Sequence, residues 1–113
     1  MLTMEKLRMF GADTDDGLKR CMNNETFYLM LVNKAMQDDS YDRLKQAVDA
    51  GDLERGFEIA HALKGVTGNL SLTPIQKPVT EITELLRNRA DTDYSPYLDE
   101  ILARRSELLA LIG

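Results

Sequence analysis

His61 is the only histidine of this 113-residue chain, and it is followed by Lys64 and Gly65. A neutral imidazole nitrogen can attack an electrophilic phosphoryl group and hold it covalently, provided that the ring is exposed. Lys64, one helical turn away, is placed to stabilise the phosphoryl oxygens. Gly65 and Gly68 remove side chains from the same helix face, although a glycine inside a helix costs about 1 kcal/mol relative to alanine. The spacing therefore predicts a nucleophilic histidine that a large partner must approach closely.

Hydrophobic periodicity predicts the helix that carries His61 and places the ring opposite the core. The predicted core residues lie within about 60° of Leu63 around the helix axis: Ile59, Ala60, Val66, Thr67 and Leu70. Phe57 and Leu72 bracket the groove left by the two glycines, and apolar side chains beside such a groove are typical of a docking surface. The predicted docking residues are Phe57, Glu58, Gly65, Gly68 and Leu72.

Composition restricts the classes of function. Hydrophobic residues make up 43% and charged residues 29%, which is typical of a soluble globular protein. Nucleic-acid binding is disfavoured, because the net charge is −5 and no basic tract is present. No apolar run approaches the roughly 20 residues that span a bilayer, and no signal peptide is evident. The lone Cys21 cannot form an internal disulfide, so we expect a cytoplasmic protein.

The elements before His61 are predicted to form an antiparallel helical hairpin. Residues 26–36 and 41–48 both show helical spacing, which leaves open one long helix or two helices with a bend. Gly51 predicts a helix end in the left-handed conformation, and Asp52 is the N-cap candidate of the histidine helix. So short a connection favours an antiparallel arrangement.

The remaining elements complete a predicted bundle. Thr73-Pro74 and Ser95-Pro96 each predict a helix start, an N-cap followed by proline, while Pro78 should loosen or bend the first turns of its helix. Residues 1–22 are expected to form short helices that close one end. The predicted fold is therefore all-α, an up-down antiparallel four-helix bundle over residues 24–112 within a single domain of residues 1–113.

The run His61-Ala62-Leu63-Lys64-Gly65, with Asn69-Leu70 beyond it, resembles the signature of histidine phosphotransfer (HPt) domains. The resemblance covers roughly residues 14–90 and includes Gly51-Asp52. The preceding helix also carries the family's acidic-aromatic-aliphatic pattern, at Glu25, Phe27, Leu31 and Met36. The family often has glycine where this chain has Ser71, a departure that bears on the turn after the helix and not on the chemistry.

The resemblance implies a relay function. His61 would accept a phosphoryl group from a receiver-domain aspartate of a response regulator, or from a hybrid histidine kinase, and pass it to another receiver. Lys64 would be the electrostatic helper, Gly65 and Gly68 would provide clearance, and Asn69 would have a structural role. The Mg²⁺ used in such relays belongs to the receiver, so no cofactor or metal of its own is expected for the chain. The chain is also expected to be a monomer.

Phosphate must then arrive from a partner, because the chain is too short for an ATP-binding kinase domain and has no glycine-rich phosphate loop.

Three other interpretations stay open. His61 could be an ordinary surface residue. Glu58-x-x-His61 has the spacing of di-iron bundle proteins, although such sites need two of these motifs pointing inward. The bundle could also act as an adaptor or inhibitor that binds a receiver or kinase without being phosphorylated.

Overall fold

A computed structural model describes residues 1–113, and it confirms the all-α prediction. The helices are, in chain order, α1 (Met4–Phe10), α2 (Thr14–Arg20), α3 (Glu25–Met36), α4 (Ser40–Asp49), α5 (Leu53–Asn69), α6 (Thr73–Arg87) and α7 (Ser95–Ile112). α5 packs between α4 and α6, and α7 packs against α6, α3 and α4. α3 and α4 occupy the region for which the sequence left open one long helix or two helices with a bend. None of the seven is long and apolar enough to cross a membrane.

The helix ends follow local capping rules. Gly51 adopts a left-handed φ of 75°, and the Asp52 side chain accepts a hydrogen bond from the Arg55 backbone N–H, which confirms the predicted junction before α5. The N-caps of α6 and α7 are Leu72 and Tyr94, each one residue earlier than predicted. The two prolines therefore stand in the first turn, where a missing N–H costs little. α6 also continues through Pro78, so the proline does not interrupt it.

Side chains fix the break between α3 and α4. The Asp38 carboxylate accepts hydrogen bonds from the Ser40 backbone N–H and hydroxyl, at 2.8 and 2.7 Å. From α7, the Arg105 guanidinium donates to the carbonyl oxygens of Met36 and Asp38 and lies 5.0 Å from the centre of the Tyr41 ring. The choice between one helix and two is thereby decided in favour of two.

The N-terminal helices are fixed to the bundle by close packing. α1 contacts α7, and α2 contacts α3. A Cβ atom at Gly17 in α2 would overlap the Tyr28 hydroxyl oxygen, so only glycine permits this approach. The same hydroxyl is buried and donates to the Leu70 carbonyl oxygen at 2.7 Å, which ties α3 to the end of α5. α2 is consequently held beside the end of the histidine helix.

Candidate functional site

α5 presents His61 to solvent. Its buried residues are Gly56, Ile59, Ala60, Leu63 and Thr67, and the imidazole lies on the opposite side. The half-buried Phe57, one turn earlier, stacks on the His61 ring with centroids 5.7 Å apart and planes inclined by 28°. One face of the imidazole is therefore covered by Phe57. This contact limits the orientations that the ring can adopt.

Two side chains do not lie where the helical pattern predicts. Leu72 is 0% exposed and cannot be a docking residue, which corrects that prediction. The prediction extended the α5 helix beyond its end at Asn69, whereas the chain turns there and brings Leu72 into the core as the N-cap of α6. Val66, a predicted core residue, is 42% exposed because it lies at the edge of the buried stripe.

The two glycines near His61 occupy different environments. A Cβ atom added at Gly65 would meet nothing within 4 Å, so internal packing does not require glycine there. A Cβ atom at Gly68 would lie 3.2 Å from the Gln76 side-chain nitrogen of α6. Gly65 is therefore open toward solvent, whereas Gly68 also serves the packing of α5 against α6.

Charged side chains from α6 lie close to the histidine helix. The Lys64 ammonium is 3.9 Å from a Glu84 carboxylate oxygen, and the other oxygen of that carboxylate is 3.4 Å from Arg87 Nε. The Arg87 guanidinium lies 5.1 Å from the centre of the Phe57 ring. Phe57 therefore contacts both Arg87 and the His61 ring on which it stacks. These pairs are solvent-exposed and hence weak, so Lys64 can exchange Glu84 for another anion.

An open groove beside the imidazole gathers residues from three helices. It is lined by Arg20, His61, Lys64, Gly65, Gly68, Asn69 and Gln76. The sequence predicted the part from α5 but missed Arg20 of α2 and Gln76 of α6, because helical periodicity relates only residues of one helix. The groove thus brings His61 together with two cations, Lys64 and Arg20.

Ser71 keeps the turn after α5 in the conformation that glycine would adopt. Its φ is 54°, in the left-handed region that L-residues seldom occupy. Its hydroxyl donates to the Asp16 carboxylate of α2 at 2.5 Å, and its carbonyl oxygen accepts from the Asp13 backbone N–H at 3.0 Å. Hydrogen bonds from Ser71 and Arg20 hold the pKa of Asp16 below its usual value. Serine at this position, where the family often has glycine, therefore links α2 to the turn after α5.

The di-iron interpretation finds no ligand set here. Glu58 is exposed on the outward side of α5 with His61. No group of three or more His, Cys, Asp or Glu side chains is arranged to hold a metal ion. Glu58 is therefore an exposed surface residue on the same side of α5 as His61, and it is not part of a metal-binding group.

Comparison with known proteins gives one result. Searches of curated proteins and of solved structures gave no match. The family model for the Hpt domain matches residues 32–111. That range starts later than the resemblance seen in the sequence and also takes in most of α7. Because the match covers more than half of the chain, the chain belongs to the Hpt domain family, whose members carry phosphoryl groups on histidine in phosphorelays.

Proposed function

We propose that His61 accepts a phosphoryl group from the aspartyl phosphate of a receiver domain, or from a histidine kinase, and transfers it to the aspartate of another receiver. The observation that carries this proposal is an exposed imidazole beside an open groove that also holds Lys64 and the unobstructed Gly65. Membership of the Hpt family supports it. We further propose that residues 1–113 act as one domain.

The transfer is a displacement at phosphorus. A ring nitrogen of neutral His61 attacks, the N–P bond forms, and the P–O bond to the donor aspartate breaks, with the carboxylate leaving with the electron pair. The ring then loses its other N–H proton to water, which leaves the imidazole uncharged and the attached phosphoryl group negatively charged. Attack by the carboxylate of the next receiver reverses these steps. Any Mg²⁺ in the reaction is expected on the receiver.

The side chains around the ring have distinct parts in this step. Phe57, stacked on one face, orients the imidazole so that a ring nitrogen points to the incoming phosphorus. Lys64 lies 3.9 Å from Glu84 in the absence of phosphate and would turn to the phosphoryl oxygens. Gly65 leaves the space that the partner's active site would enter.

The proposed docking surface is the outward side of α5, with Phe57, Glu58, Gly65 and Gly68, and the adjoining face of α3. α3 carries two exposed apolar side chains, Phe27 and Met30. Such side chains favour contact with a protein partner. The hydrogen bond from Tyr28 to the end of α5 holds the two helices together.

The test is transfer from a panel of phosphorylated receiver domains and hybrid kinases of the source organism, with His61→Gln as the control. We expect an acid-labile, base-stable label on the wild type and none on the variant. If no receiver labels His61 while one binds the chain tightly, and His61→Gln still regulates that partner, the protein is an adaptor or inhibitor and the relay proposal is wrong.

A further inference from the structure

Arg20 brings a second cation to the groove from outside the region that the family model matches. It is the last residue of α2, whereas the match begins at residue 32. Its Nε atom donates to Asp16 at 2.8 Å. The two terminal nitrogens of the guanidinium make no hydrogen bond within the protein, and the side chain lines the same groove as His61 and Lys64. The Arg20 guanidinium is thus bonded to Asp16 through Nε, and its two terminal nitrogens are available to a ligand.

The tether is itself fixed to the histidine helix. The Asp16 oxygen that accepts from Arg20 also accepts from the Ser71 hydroxyl, in the turn directly after α5. Ser71 holds a left-handed backbone conformation in this turn. The approach of Gly17 to Tyr28 adds a second attachment of α2 to the same region. Arg20 is consequently positioned relative to His61 by hydrogen bonds and packing, and not by chance exposure.

We propose that Arg20 is a second phosphate-binding residue of this site, whose terminal nitrogens donate to the phosphoryl oxygens on His61, with Asp16 and Ser71 as positioning residues. The guanidinium is always charged, and its planar set of donors matches phosphate oxygens. Lys64 and Arg20 then hold the phosphoryl group from two different helices. Arg20 makes and breaks no covalent bond. This inference depends on the proposed phosphorylation of His61.

The experiment uses the full chain and a small donor, potassium phosphoramidate, so that partner docking plays no part. The variants are Arg20→Gln, Arg20→Lys and Ser71→Gly, with Lys19→Gln as the matched control for loss of one exposed cation from α2. His61→Gln is the blank. ³¹P NMR spectra give both measurements, which are the rate of phosphohistidine formation and the pKa of the phosphoryl group. Circular dichroism checks that each variant is folded.

For Arg20→Gln we expect labelling to slow about fivefold, as for loss of one exposed ion pair, and the pKa of the phosphoryl group to rise. Arg20→Lys should restore only part of the rate, because a single ammonium nitrogen cannot bond Asp16 and the phosphoryl oxygens as the guanidinium does. Ser71→Gly should show a smaller loss of about twofold. Lys19→Gln should match the wild type. Equal rates and equal phosphoryl pKa values in Arg20→Gln and Lys19→Gln would overturn the inference. Absence of any label on wild-type His61, from this donor and from receivers, would instead refute the proposed function.

Discussion

Replacing Gly65 by glutamine should separate folding from transfer between proteins. The new Cβ atom meets nothing within 4 Å, so the substitution introduces no internal clash. Glycine inside a helix is about 1 kcal/mol less favourable than alanine, and glutamine is a good helix former. Gly65→Gln should therefore raise the free energy of unfolding by about 0.5 kcal/mol, or the Tm by about 2 °C.

The same side chain should nearly abolish transfer from a receiver. It would project into the groove beside His61, where the partner's aspartyl phosphate must come within bonding distance of the ring. A displacement of about 1 Å can lower a rate by about 100-fold, and glutamine adds more bulk than that. Phosphoramidate is small enough to pass the side chain, so direct labelling should continue within about twofold of the wild-type rate.

The assay compares urea unfolding, labelling by phosphoramidate and transfer from a phosphorylated receiver for Gly65→Gln. The control is Ala103→Gln, which enlarges an exposed alanine of α7. Normal receiver transfer in Gly65→Gln would refute the clearance argument. Equal loss with both donors would also refute it, because damage to the ring's surroundings, and not exclusion of the partner, would then explain the effect.

Three further variants test the electrostatics and the packing. Lys64→Ala should slow receiver transfer about tenfold without abolishing it, whereas an unchanged rate would remove Lys64 from the mechanism. Gly17→Ala should lower the free energy of unfolding by about 2 kcal/mol in urea, because its Cβ would overlap the Tyr28 hydroxyl; a change below about 0.5 kcal/mol would show that α2 shifts freely. The pKa of Asp16 is lowered by folding, so its stabilising contribution is present above its ordinary pKa and is lost as the pH falls through the lowered value. Unfolding measured from pH 6 down to about pH 2 should accordingly show a shallower decline for Asp16→Asn than for Asp15→Asn, and equal declines would contradict this.

The features that the sequence predicted correctly are local ones. Gly51 and Asp52 mark the junction before α5 because a left-handed stop and an N-cap each depend on a few neighbouring residues. The exposure of His61 follows from the period of one helix, whose buried stripe includes Leu63. Within the helix this signal is inaccurate only at the edge of the buried stripe, where the predicted core residue Val66 is exposed. Beyond the helix end it no longer applies, which is why the prediction misplaced Leu72.

The features that the sequence did not predict depend on contacts between helices. Arg20 and Gln76 line the groove only because α2 and α6 pack near the end of α5. Arg87 reaches the Phe57 ring for the same reason. Ser71 gave a visible signal, as a serine where the family often has glycine, but its hydrogen bond to Asp16 joins residues 55 positions apart. No periodicity links residues at that separation.

The pairing of each groove cation with a carboxylate suits the reversible phosphoryl binding that we propose for this site. Lys64 lies near Glu84, and Arg20 is bonded to Asp16, so neither cation is uncompensated before phosphate arrives. Exposed pairs of this kind contribute only about 0–1 kcal/mol, so a phosphoryl group with up to two negative charges can compete with Glu84 for Lys64, while Arg20 offers its terminal nitrogens and keeps its Nε bond to Asp16. When the proposed phosphoryl group leaves for a receiver, the Glu84 carboxylate would again neutralise Lys64. A site with unpaired cations would hold the phosphoryl group more tightly and would release it more slowly to the next aspartate, because interactions that stabilise the phosphorylated state as much as the transition state do not accelerate transfer.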